Sequence, residues 1–299
     1  MTMGRIKRRR RKALFSALVF MSSFLLAMHF GLGATPEARQ EGLAAYAGAA
    51  ADKPAGGPAA GGNGEDPGSD SGPAEGAEEA AEAGNTDPAR EGSNYDFSAP
   101  VPEGPAVEDD YFDDAVFIGN SRTEGFMMYN GLKNARSLTH VGLMVDTAFT
   151  KEVIRSGDRK LTVMDALAEM KFNKVYIMLG MNELGWVYDS AFQNCYGRII
   201  ERIKEINPQA RIFIQSILPV SQEKSGKDKI YNNKRIEEFN SLLRELAEKK
   251  QVYYVNVAEA LTDDSGSLPA DASFDGVHLK PDYCKTWLEY LKNHTIERG

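Results

Sequence analysis

Ala115-Val116-Phe117-Ile118-Gly119-Asn120-Ser121-Arg122-Thr123-Glu124 is the stretch on which the reading of this chain turns. A short apolar run enters a glycine, and Ser121-x-x-Glu124 follows, a pattern that caps helix N-termini. A buried strand that turns sharply into a helix predicts a βαβ unit and a parallel sheet. Gly119 would let the backbone turn tightly. A serine on such a turn has an exposed hydroxyl, and the helix dipole beside it favours developing negative charge. Capping and catalysis are compatible readings of Ser121, and the rest of the chain decides between them.

Outward from this stretch, apolar strands alternate with helical patterns. Arg136 to Val141 reads as a weaker second strand, Lys174 to Leu179 as a strong third, Arg211 to Ser216 as a fourth and Val252 to Val257 as a fifth. Helices are predicted near Arg122 to Tyr129, Thr162 to Met170, Ala191 to Ile206 and Lys234 to Lys249, with Pro281 opening a last one as a first-turn proline should. Residues 108–299 thus read as one α/β domain, three-layered (α/β/α) and doubly wound around a five-stranded parallel sheet. In such sheets ligands bind beyond the carboxyl ends of the strands.

Two further strings fall at that end. Gly180-Met181-Asn182-Glu183 leaves the third strand, and Asp275-Gly276-Val277-His278 lies in the loop before the last helix. Each is bland alone, since Gly, Asn, Ser and Asp are common turn residues. Across a turn, however, Asp275 can reach the imidazole of His278 and fix its tautomer while the other nitrogen takes a serine proton. The Asn182 amide and the backbone N–H groups of Ser121 and Gly142 would serve as oxyanion donors. His140 and His294 have no such carboxylate nearby in sequence and read as structural.

These residues resemble the SGNH hydrolases, also called the GDSL esterase/lipase family. Gly119-Asn120-Ser121 is similar to the first family block, Gly142 to the glycine of the second, Gly180-Met181-Asn182-Glu183 to the third and Asp275-Gly276-Val277-His278 to the last. The resemblance implies a flavodoxin-like fold and a serine esterase or acyltransferase that needs neither metal nor cofactor. It makes Ser121 the nucleophile, His278 the base, Asp275 its orienter, and Ser121, Gly142 and Asn182 the oxyanion hole. Asn120 stands where the family usually has Asp, and Glu183 likewise; neither position carries a catalytic atom in the family scheme. Arg122 and Trp186 are candidate substrate-binding residues, and Tyr188, Phe126, Met127 and Met128 could line a groove or pack as core.

The remaining sequence supplies an address. Seven cations and no acid lie in residues 1–12, followed by an uncharged, mostly apolar run from Ala13 to Ala34. A run of this length can span a bilayer, and the preceding cations would hold the N-terminus in the cytoplasm. A cleaved signal peptide ending near Leu32-Gly33-Ala34 is the competing reading, less favoured because the run is long and Leu32 is not small. Residues 35–107, with 14 acids against three cations and many Ala, Gly and Pro, read as a disordered linker. The domain itself carries 25 cations and 29 acids. That mild acidity argues against nucleic acid as a partner. Cys195 and Cys284, the only cysteines, could pair outside the membrane or remain two separate thiols.

Together these features predict a membrane-tethered, extracytoplasmic serine esterase that removes small acyl groups, acetyl foremost, from cell-wall or capsular carbohydrate. An O-acyltransferase drawing on an acyl-donor membrane partner, a lipase or lysophospholipase, and a binding module without activity are the alternatives.

Overall fold

The computed structural model describes residues 95–296. The basic segment 1–12, the apolar run 13–34 and most of the linker lie outside the described residues. Among the described residues no helix is long and apolar enough to cross a membrane.

Five strands form one parallel sheet: β1 (Ala115–Gly119), β2 (Arg136–Thr139), β5 (Lys174–Met178), β6 (Arg211–Gln215) and β7 (Tyr253–Val255). Their spatial order is β2-β1-β5-β6-β7. This is the flavodoxin-like winding, in which the chain leaves β1 toward one side and returns to its other side. The helices are α1 (Ser121–Tyr129), α2 (Val163–Ala168), α3 (Asp189–Ile206), α4 (Gln222–Lys227), α5 (Asn233–Lys250) and α6 (Pro281–Asn293). All five expected strands are present, each within a few residues of its expected ends. Between β2 and α2, Ile154–Ser156 (β3) and Arg159–Leu161 (β4) add a small antiparallel hairpin that the sequence reading omits.

Alternation along the strands sorts the core into two layers, because successive side chains point to opposite faces. Val116, Ile118, Val175, Ile177, Ile212 and Ile214 face a cluster that includes Val163, Leu167, Ile199 and Leu243 of α2, α3 and α5. Phe117, Tyr176 and Phe213 face the opposite layer with Phe126 of α1 and Trp287 of α6. The register brings Phe117, Tyr176, Phe213 and Tyr253 side by side across four strands. Their rings stack with centroids 4.9, 4.5 and 5.1 Å apart. Such cross-strand aromatic pairs each add about 0.5–1.5 kcal/mol beyond area burial. Burial of these faces dictates the register, since a one-residue slip would exchange the two layers.

Residues 95–107, which composition assigns to the linker, belong to the folded unit instead. Val101 is buried and its N–H donates to the Tyr254 carbonyl at 2.8 Å; Gly104 and Val107 donate to Asn293 and Lys292 carbonyls. Tyr95 and Phe97 pack their rings on Tyr253. Three aromatic and aliphatic anchors within a polar stretch are enough to dock it, a local signal that average composition hides. Cys195 and Cys284 are free thiols. Cys284 is buried beneath α1 with its Sγ 3.8 Å from the Gly125 carbonyl, and burial pushes its pKa up to about 12.

Candidate active site

Three loops meet at the carboxyl end of the sheet. Ser121 follows β1, Asn182 lies in a one-turn 3-10 helix (Met181–Glu183) after β5, and Asp275 and His278 precede α6. β1 and β5 are neighbours, so the first two loops flank the switch point of the sheet, where chain crossovers diverge and leave a crevice.

Local chemistry frees the Ser121 hydroxyl. Ser121 is the first residue of α1 and does not cap it; the cap is Asn120, whose side chain accepts from the Arg122 N–H at 3.1 Å. The expected Ser-x-x-Glu capping box is therefore replaced by an Asn cap one residue earlier. Asn and Asp are interchangeable in this role, which accounts for Asn120 at a position that is usually Asp. Gly119 must lack a side chain: a Cβ there would sit 2.0 Å from Thr123 Oγ1 and 2.9 Å from the Met178 carbonyl oxygen.

Ser121 Oγ lies 2.9 Å from His278 Nε2, and His278 Nδ1 lies 2.7 Å from Asp275 Oδ2. With Nδ1–H donating to the carboxylate, Nε2 is the acceptor for the serine hydroxyl. The other Asp275 oxygen accepts from the Val277 and His278 N–H groups at 2.9 and 2.8 Å and from Ser273 Oγ at 3.0 Å. Partial burial opposes ionisation of Asp275, but the His278 hydrogen bond, its charge and the two backbone donors outweigh it and hold the carboxyl far below the usual range. The turn is braced from outside. Gly276 has φ +78° and no room for a Cβ, which would meet Ser221 Oγ at 2.4 Å, and its carbonyl accepts from the Ser221 N–H. Ser221 in turn caps α4.

Across the crevice, Asn182 Nδ2 donates to the Leu143 carbonyl at 2.9 Å. That bond uses one of its two protons and fixes the amide plane, leaving the other proton for a ligand. Gly142 is exposed with φ +71°, a conformation that suits glycine. Glu183 is wholly buried, and its Oε1 accepts from the Val145 N–H at 2.7 Å.

The candidate substrate contacts fare differently. Arg122 is buried, neither solvated nor open to the crevice; its guanidinium donates to the Leu218 and Pro219 carbonyls beyond β6. Burial lowers its pKa to about 10, with Asp275 acting in the opposite direction. Phe126 is core, 4.3 Å from the Trp287 ring centroid. Trp186 is half-buried against the α3/α5 layer, whereas Val187 and Tyr188 are 84% and 72% exposed. Ser273, Ser221 and the Asn120 cap go unnoticed in the sequence reading. Only Asn120, a strong N-cap former directly before a helix, carries a local signal that could have been used.

A hydroxyl held against an imidazole that is itself held by a carboxylate is suited to acyl transfer. Residues 117–282 match the model of the GDSL-like lipase/acylhydrolase family. The chain belongs to that family. This GDSL-like protein is accordingly an ester hydrolase by family. Its solved structural neighbours include a Streptococcus pneumonia protein provisionally named as a platelet activating factor, 24% identical over 60% of this chain and 82% of that one, with a TM-score of 0.49. A GDSL-like lipase from Bacteroides thetaiotaomicron is 15% identical over 62% and 86% of the two chains, with a TM-score of 0.46. Est24, a carbohydrate acetylesterase from Sinorhizobium meliloti, is 14% identical over 60% and 96%, with a TM-score of 0.43. No curated protein matches the chain.

Proposed function

We propose that this GDSL-like hydrolase is a serine esterase that cleaves small acyl esters, acetyl foremost, from cell-surface carbohydrate. The hydrogen-bonded chain from Ser121 through His278 to Asp275 is the observation that carries the mechanism. Ser121 Oγ attacks the ester carbonyl carbon as His278 Nε2 takes its proton, and Asp275 stabilises the resulting imidazolium. The carbonyl oxygen, now an oxyanion, is met by the N–H groups of Ser121 and Gly142 and by Asn182 Nδ2. On collapse, His278 returns the proton to the departing alcohol and the acyl group stays on Ser121. Water, deprotonated by His278, then attacks the acyl-enzyme, releasing the carboxylic acid and restoring the serine.

The choice of substrate rests on sequence. The basic start, the apolar run 13–34 and the acidic stretch beyond it support an anchored domain working outside the membrane, where acylated glycans are within reach. The test is acetate release from purified acetylated wall polymers by the parent and by Ser121→Ala. Release by the parent and none by the variant is the expected result. Release that survives Ser121→Ala refutes the mechanism; a parent that transfers acyl groups to added glycan faster than to water is a transferase instead.

A further inference from the structure

Glu183 is the least expected group near the site. It is a carboxylic acid with no exposed surface, set directly after Asn182. One oxygen accepts from the Val145 N–H; the other is also buried, and besides Val145 the carboxyl meets only the backbone N–H groups of Gly180 and of Glu183 itself. A core can do without such a group, because an apolar residue of similar size avoids the desolvation cost of about 1–3 kcal/mol that an unsatisfied polar atom carries. Its position explains what the carboxyl achieves. The segment 180–183 grips the loop 142–145 twice, through Asn182 Nδ2 on the Leu143 carbonyl and through Glu183 Oε1 on the Val145 N–H. Those two segments carry Asn182 and Gly142, two of the three oxyanion donors in the proposed mechanism.

We infer that Glu183 is a positioning residue of the oxyanion hole, a carboxyl clip that fixes the Gly142 loop against the Asn182 segment. This rests on the serine-esterase reading. The clip works as the neutral acid. Among the described residues, the titratable groups facing Glu183 are Asp146 from the clipped loop, Cys195 and Tyr196 from α3, and Tyr231 from the turn after α4, and none is a cation. The nearby Arg235 is engaged by Asp189 and Glu238. Burial, reinforced by Asp146 and opposed by the backbone donors, raises the Glu183 pKa to about 8. Above that pH a negative charge with no cation beside it would appear one residue from Asn182, where the proposed reaction develops negative charge of its own. Ionisation therefore disfavours the transition state more than substrate binding.

The full-length parent, Glu183→Gln and Glu183→Asp separate a clip from mere filling. Gln keeps the acceptor for Val145 and cannot ionise. Asp keeps the carboxyl but is one methylene short of the Val145 N–H. On p-nitrophenyl acetate, kcat of the parent should fall with a midpoint near pH 8, and Glu183→Gln should match the parent at neutral pH and lose that fall. Glu183→Asp should lose about 10- to 100-fold in kcat at nearly unchanged KM, the scale of an ångström-level misplacement. Hydrogen exchange at the Val145 amide, read without substrate, should be faster in Glu183→Asp than in the parent and unchanged in Glu183→Gln. Parent-like kcat and pH profiles in both variants, or parent-like Val145 exchange in Glu183→Asp, overturn the inference. The exchange result stands whether or not the protein is an esterase, so the two readings fail separately.

Discussion

Replacing Asp275 by Asn isolates what the carboxylate does for His278. Its two oxygens have separate duties: Oδ1 takes the Ser273 hydroxyl and the Val277 and His278 N–H groups, and Oδ2 takes His278 Nδ1. An Asn can keep its oxygen on the three turn donors, so the loop survives, but it then presents an NH2 to Nδ1. That forces Nδ1 to become the acceptor and moves the proton to Nε2, which then donates to Ser121 and cannot take its proton. The carboxylate charge that stabilised the imidazolium is lost as well. In a Ser-His-Asp triad the corresponding change lowers kcat by about 10⁴, or about 5.4 kcal/mol of transition-state stabilisation. The expected result for Asp275→Asn is a kcat on p-nitrophenyl acetate reduced by about 10³- to 10⁴-fold at neutral pH, with a melting temperature close to that of the parent. Asp275→Ala should lose both activity and stability, because the turn loses its acceptor. An Asp275→Asn protein that is folded and within tenfold of the parent would refute the tautomer argument and leave Ser121 and His278 as a self-sufficient pair.

Two other substitutions probe the remaining parts of the site. Asn182→Ala removes one of the proposed oxyanion donors together with the bond to the Leu143 carbonyl, and kcat should drop by about 10²- to 10³-fold; steady-state kinetics against Ser121→Ala as the floor measure it. Gly119→Ala brings a methyl group into the Thr123 side chain and the Met178 carbonyl, so urea unfolding should show a loss of about 3 kcal/mol or more, at the upper end of overpacking costs.

The parts of this molecule that the sequence reveals are those set by local periodicity. Val116-Phe117-Ile118 and Lys174 to Leu179 announce buried strands because both faces of a parallel sheet are covered, and Pro281 announces a helix start by its missing N–H. The short Asp275-to-His278 spacing announces a carboxylate within reach of an imidazole, and the structure brings the two into contact. Pairings across long sequence distances leave no such trace. Nothing local marks Arg122 as buried, because its partners are carbonyls 96 and 97 residues away. The same holds for Glu183, whose partner is 38 residues upstream, and for the Ser221 brace on Gly276. Each of these holds a loop. A loop-holding side chain is chosen by the backbone it must reach, so its identity becomes readable only when that backbone is folded. On this argument the residues proposed to react are legible early because their chemistry restricts their type. The groups that brace the surrounding loops, Glu183 among them, are legible only late, because any donor or acceptor of the right length could have served.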